Sequence, residues 1–159
     1  MSEPTWAETK GKMALVVASR IQRESMAIER APSAAKMELA CRRTLLLMQS
    51  VRDLPELRGL IADFDQHLAR IQAIERVASA VECVERSYTF RRRGDAAAER
   101  NELLGALALI RNRELTNRDF EIAAVMPKDT GEIVKVENVV ERLRQLGWTY
   151  QMDDLPPQC

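Results

Sequence analysis

Residues 55–93 have the sequence PELRGLIADFDQHLARIQAIERVASAVECVERSYTFRRR. Apolar side chains recur in it every three or four positions, and no glycine interrupts it between Gly59 and Gly94, which is typical of an amphipathic α-helix. One helix over this whole stretch would be about 57 Å long at about 1.5 Å per residue. Because a small domain is not that wide, we expect the helix either to break or to project and pair with a second chain. The sequence therefore favours a helical homodimer, with a monomeric three-helix bundle as the alternative.

Breaks in the pattern on both sides of this stretch divide the rest of the chain into shorter helices. Ala31-Pro32-Ser33 separates two helices before it, Pro127 ends a short helix after it, and Gly147 caps the last one. The predicted helices are 5–30, 34–52, 55–93, 96–113, 117–126 and 136–146, with a brief strand or a lead-in to the last helix at 132–136 and a strand at 148–152.

The length of 159 residues allows one compact domain or two small ones. We expect a mainly α-helical fold, namely a helical bundle with one long helix followed by a small winged-helix-like C-terminal module. The expected division is a helical, dimer-forming region over residues 1–93, the C-terminal module over 94–152 and a disordered tail over 153–159. The composition supports this expectation, because the chain has only six glycines and six prolines, and aromatic residues make up 4% of it.

Composition also restricts the cellular setting. Residues 2–12 are polar, which predicts no secretory signal, and the longest apolar run in the N-terminal part, residues 13–19, is far short of the ~20 residues that a membrane span needs. The three cysteines are odd in number, widely separated and unaccompanied by histidines, so that neither a disulfide framework nor a zinc site is expected. The sequence therefore favours a cytoplasmic protein.

Charge is distributed unevenly, although the 24 basic and 24 acidic residues balance. Residues 1–85 are neutral, residues 86–118 hold 8 basic and 4 acidic groups, and residues 119–159 hold 4 basic and 8 acidic groups. A basic middle (net +4) thus precedes an acidic end (net −4). Such asymmetry points to a surface that contacts a charged partner.

Familiar catalytic machinery is not expected in this chain. The single histidine, His67, has Asp63 four residues before it and Arg70 three residues after it, so that a helix would place the three on one face. One histidine and one aspartate are too few for a stable metal site, and the six isolated glycines form no phosphate-binding loop. Cys41 and Cys83 lie among apolar residues and are expected to be packing residues. We predict no catalysis, cofactor or metal; an enzyme of unfamiliar type that uses His67 is the weakest alternative.

A basic cluster near the end of the long helix is the first candidate binding site. Tyr88 and Phe90 stand beside Arg91, Arg92 and Arg93. Arginine forks suit phosphate groups, and aromatic rings can stack on bases. The same cations would also complement the dipole of the helix C-terminus as an ordinary solvated end.

Residues 103–150 carry the strongest pattern: an apolar helix, a polar cap, a short helix, a turn, and a helix that ends Leu-Gly-Trp before an alternating segment. This order resembles a winged helix-turn-helix module. The resemblance implies that Thr116-Asn117-Arg118 would touch phosphate and that helix 136–146 would enter the major groove of duplex DNA. In that role its outward residues would be Lys135, Asn138 and Arg142, with residues 148–152 opening the wing.

Two functions of different class follow from these patterns. The first is a non-catalytic, DNA-binding transcriptional regulator of bacterial or phage type, acting as a homodimer. The second is an adaptor or inhibitor that captures a basic, nucleic-acid-binding protein through its acidic C-terminal surface, because phosphate repulsion opposes the docking of acidic residues on DNA. The residues proposed for that acidic surface are Asp119, Glu121, Glu132, Glu137 and Glu141.

Overall fold

A computed structural model describes residues 5–55, 59, 63–128 and 130–149, without the side chains of residues 6, 7 and 10. Across these residues it is built from helices, and none of them lies in a β-strand, which confirms the expectation of a mainly α-helical protein. The helices, in chain order, are α1 (Trp6–Arg30), α2 (Ala34–Val51), α3 (Phe64–Arg92), α4 (Ala96–Asn112), α5 (Asn117–Ala123) and α6 (Val136–Gln145).

Side-chain caps explain where most of these helices begin. Thr5 and Glu8 form a reciprocal capping box at the start of α1, and Ser33 accepts a hydrogen bond from the amide of Lys36 at the start of α2. Asp95 caps α4 in the same way. Each cap satisfies amides that the first helical turn leaves without an internal partner.

The long helix is shorter than predicted. It begins at Phe64, because the preceding residue, Asp63, adopts left-handed backbone angles (φ 54°, ψ 42°) that do not continue a helix. The remaining 29 residues span about 43 Å at about 1.5 Å per residue. Most of the predicted segment before Asp63 lies outside the described residues. The helix ends as expected, with Arg93 as the C-cap and Gly94 at a positive φ of 73°.

Helix α3 is the central element of the bundle. It packs against α2, α4 and α5, while α1 packs mainly on α2 and α6 on α4. Its buried side chains, such as Ile71, Ile74 and Val77, belong to one hydrophobic core that extends from α1 to Trp148 after α6. The predicted boundary between residues 93 and 94 falls in the turn between α3 and α4, and α3 contacts helices on both sides of it.

Two expectations for the C-terminal region are wrong. Helix α5 ends at Ala123 rather than at residue 126, because Ala124 takes left-handed angles before Pro127 is reached. Residues 132–135 form an irregular lead-in to α6, which is one of the two alternatives predicted for them, whereas residues 148–149 are not in the predicted strand. The rest of the predicted wing, residues 150–152, lies outside the described residues, as does the tail.

Candidate functional site

A cleft of about 300 Å³ lies between the C-terminal half of α3, the start of α4, the segment before α6 and α6 itself. Apolar side chains, including Val84, Leu103 and Val139, contribute to its walls. Its polar lining brings together four residues that sequence patterns singled out for binding, namely Arg91, Lys135, Asn138 and Arg142. Tyr88, Glu132 and Glu141 line it as well, so the cleft combines charges of both signs with apolar side chains.

Arg142 does not face outward as predicted. Its Nε and Nη2 atoms donate to the two carboxylate oxygens of Glu99 at 2.7 and 3.0 Å, and Nη1 donates to Gln145 at 3.1 Å. Glu99 is only 2% exposed, so this bidentate pair joins α6 to the first turn of α4. The hydrogen bonds that Arg142 donates to Glu99 also raise the pKa of Arg142. The guanidinium is therefore committed to the fold and is not free to contact bases.

Asn117 is also committed to the fold. Its side-chain oxygen accepts a hydrogen bond from the amide of Val136 at 2.9 Å, and its Nδ2 donates to Glu137 Oε2 at 2.8 Å. The first bond satisfies an amide at the start of α6, where the N-cap residue Lys135 supplies no side-chain cap. The second lowers the pKa of Glu137. A residue expected to touch phosphate thus fixes α6 against α5.

The acidic residues differ in how available they are. Asp119 closes the capping box of α5 with Thr116, and its other oxygen accepts from Arg76 Nη1 at 2.9 Å, so it is part of the structure rather than of a free surface. Glu121, Glu132, Glu137 and Glu141 are exposed. Glu121 and Glu141 each lie one helical turn beyond a member of the Asn117–Glu137 contact, Glu121 on α5 and Glu141 on α6. We call Glu121, Glu137 and Glu141 the acidic seam.

The predicted phosphate-binding arginines do not form one cluster. Arg91, Arg92, Arg93 and Arg118 are exposed and make no ion pair with another described residue. Arg118 is next to Asp119, which contacts Arg76, and Arg76 precedes Arg91 by about 22 Å along α3 at about 1.5 Å per residue. The two basic positions therefore lie at different levels of the bundle.

His67 has a different partner from the one that helix spacing predicted. Asp63 contributes its backbone carbonyl to the first turn of α3, while the His67 ring lies 3.1 Å from the hydroxyl of Ser25 on α1. Burial, and then the nearby Arg70, lower the pKa of the imidazole below its ordinary 6.5. The ring is a half-buried link between α1 and α3. Groups of three or more potential ligands that could hold a metal ion do not occur among the described residues.

We expect stability to fall as the pH drops through the titration of His67. Because its pKa is lower in the folded chain, the unfolded chain binds a proton first, and acidification below about 6.5 favours unfolding. His67→Gln keeps a group able to bond Ser25 but does not titrate. Urea midpoints at pH 8 and 5.5 should differ less for this variant than for the parent. Since His67 is the only histidine, equal pH dependence would contradict this account.

Cys41 and Cys83 are buried, as expected for packing residues. Burial, followed by the charges of Glu75 and Glu38, raises the pKa of Cys41 to about 12. Burial also raises the pKa of Cys83. Neither thiol is activated as a nucleophile.

In the part of the chain that the structure describes, no helix combines the length and apolar character needed to cross a membrane.

Sequence patterns missed the partners that orient α6. Glu99 lies in the first turn of α4, and its pairing with Arg142, 43 positions away, depends on how α4 and α6 pack. A usable signal was present for Glu99, since its position relative to Leu103 and Leu107 places it on the core face of α4. For the amide of Asn117 no local signal exists.

Comparisons with protein-family models, with curated proteins and with solved structures find no match to this chain.

Proposed function

We propose that the protein is a non-catalytic adaptor or inhibitor that captures a basic protein through the acidic seam and the adjoining cleft. The observation that carries this proposal is the pairing of Arg142 with the buried Glu99. That pair removes from the exposed face of α6 the cation that would have opposed Glu137 and Glu141. What α6 offers to a partner is therefore carboxylate and amide with a single exposed cation, Arg144, whose ion pair with Glu141 is long at 3.8 Å.

The surroundings of the seam agree with a protein partner. The cleft beside it combines apolar side chains with charges of both signs, which suits a side chain or a short segment of another protein. Complementary charge would steer a basic partner towards the seam and fix its orientation. A basic, nucleic-acid-binding protein held there would be kept from its nucleic acid.

Charge reversal at Glu141 tests this proposal. A fluorescent lysine- and arginine-rich peptide should bind the parent chain in 50 mM salt, and Glu141→Lys should weaken that binding about tenfold, as expected for about 1.4 kcal/mol. Asp53→Lys is the matched control, because each carboxylate is exposed and makes one long ion pair of 3.8 Å with a nearby arginine. Equal affinity of the two variants would overturn the proposal.

A DNA-binding regulator is the second candidate. It is favoured by the exposed cations without ion pairs among the described residues, of which Arg91 and Lys135 line one cleft with Asn138. In this proposal α4, α5 and α6 act as a winged helix-turn-helix module, although residues 124–135 make a longer connection than its turn. Binding to a duplex should then fall steeply with salt and weaken in Arg118→Ala. No duplex binding at low salt would exclude this function.

We also propose that two copies associate through the N-terminal helices. Support comes from α1, where Met13 and Val16 are 59% and 65% exposed, an unusual exposure for large apolar side chains one turn apart. Sedimentation at micromolar concentration should give twice the mass of the 18.1 kDa chain. A mass of one chain would contradict a homodimer.

A further inference from the structure

A second surface of opposite charge lies on the far side of the bundle, where α1 and α2 form a hairpin. A groove of about 650 Å³ runs between the two helices close to the turn that joins them. Met26 and Leu39, which are 48% and 44% exposed, line it together with Ala27, and we call these three residues its apolar floor. The rim is basic: Arg23, Arg30, Lys36 and Arg43 line it, with Glu24 as the single acidic residue.

The four cations of this rim are not used by the fold. All are exposed, and none makes an ion pair with another described residue. By contrast, the neighbouring Arg42 pairs with Glu75 at 3.1 Å across the α2–α3 contact. The chain therefore neutralises the arginine that lies beside α3 and leaves the groove cations unneutralised.

The spacing of the rim cations has a regular geometry. Arg23 and Arg30 are seven residues apart on α1, and Lys36 and Arg43 are seven residues apart on α2, which is about 10.5 Å, or two helical turns, in each case. The two helices run antiparallel from the turn at residues 31–33. The cations thus mark the ends of two parallel edges with the apolar floor between them. A helix laid along the groove would meet these edges with carboxylates seven residues apart.

We infer that the groove between α1 and α2 binds an acidic amphipathic helix of a partner protein. Such a helix would place leucine-type side chains on Met26 and Leu39 and carboxylates against the rim, which is the helix-in-groove mode of recognition. A second copy of this chain does not fit through the same face, because a two-fold axis would set cation against cation. The apolar floor argues against nucleic acid, whose phosphates gain nothing from it. This inference does not depend on the acidic seam.

The probe is a synthetic 21-residue helical peptide with leucines on one face and glutamates seven residues apart on both flanks. Measured by fluorescence anisotropy with the full chain, its dissociation constant should rise about tenfold in Arg43→Glu and stay unchanged in Arg100→Glu, an exposed arginine of α4 without an ion pair among the described residues. Leu39→Ser should weaken binding as well, since it removes an apolar side chain from the floor without changing the charge of the groove. All three positions are at the surface, so thermal melts should match the parent.

Several results would overturn the inference. Equal binding of a peptide with glutamine in place of glutamate would show that the rim plays no part, and unchanged binding in both Arg43→Glu and Leu39→Ser would place the peptide elsewhere. The same variants are also tested against vesicles of phosphatidylcholine and phosphatidylglycerol, against duplex DNA and by sedimentation. If the variants changed binding to vesicles, binding to DNA or self-association but left binding of the acidic peptide unchanged, the groove would be a lipid, nucleic-acid or self-association surface. Loss of basic-peptide binding in Glu141→Lys would test the acidic seam and not this groove. Loss of acidic-peptide binding in Arg43→Glu would test this groove and not the acidic seam.

Discussion

Replacing Arg142 with methionine should lower the free energy of unfolding by about 3–5 kcal/mol, because the change leaves the carboxylate of Glu99 buried without its cation. A typical domain has only about 5–15 kcal/mol of total stability, so this is a large effect. Urea titration of the purified chain, followed by circular dichroism, measures it. The matched control is Arg144→Met, two residues further on α6. Arg144 is exposed, and its ion pair with Glu141 is long at 3.8 Å, so the expected loss is under about 0.5 kcal/mol.

The double variant Glu99→Met with Arg142→Met separates the pair from its surroundings. When both charges are replaced by apolar side chains of similar length, no buried charge is left, and most of the lost stability should return. If Arg142→Met cost no more than Arg144→Met, the carboxylate of Glu99 would have to reach water, which would contradict its burial. These stability measurements also affect how the binding tests are interpreted. Loss of DNA or protein binding in an Arg142 variant would result from unfolding and not from a lost contact.

Periodicity and capping residues predicted most of the fold because both act locally. The starts of α1, α2, α4, α5 and α6 agree with the predicted starts to within one residue, and the first four of these are fixed by a cap close in sequence. The start of α3 was missed for a related reason. The left-handed backbone of Asp63 is compatible with the same apolar spacing as a continuous helix, so periodicity alone cannot locate it.

The candidate site was harder to predict because its chemistry depends on pairing between distant residues. Position on a helical wheel placed Arg142 outward, but the buried Glu99 on α4 draws its guanidinium inward. The winged-helix resemblance implies a phosphate contact for Asn117, whereas its side chain bonds residues 136 and 137. Neither Arg142 nor Asn117 is distinguished by its neighbours in sequence, and each acquires its structural role only when α6 packs on α4 and α5. Local patterns identify which residues are polar, and tertiary packing decides which remain available.

Replacing Phe120 with alanine should cost about 3–5 kcal/mol, because its ring is fully buried and its removal leaves a cavity where α5 packs on α3. Helix α5 has only seven residues, too few to form a stable helix in isolation. Its conformation therefore depends on this anchor. Ile122→Ala is the control on the same helix; Ile122 is 38% exposed, and the expected loss is under about 1 kcal/mol. Urea titration measures both.

The same substitution should loosen α6, since the amide of Val136 is held by the side chain of Asn117 on α5. Hydrogen exchange at residue 136 should accelerate in Phe120→Ala under conditions where the amides of α3 remain protected, because local opening needs less free energy than global unfolding. Protection at residue 136 that survived this substitution would mean that α6 is held by Leu143 and the Glu99–Arg142 pair alone. Glu121 would then be displaced while Glu137 and Glu141 stayed in place. Binding of the basic peptide to Phe120→Ala therefore distinguishes a seam that needs both helices from one presented by α6 only.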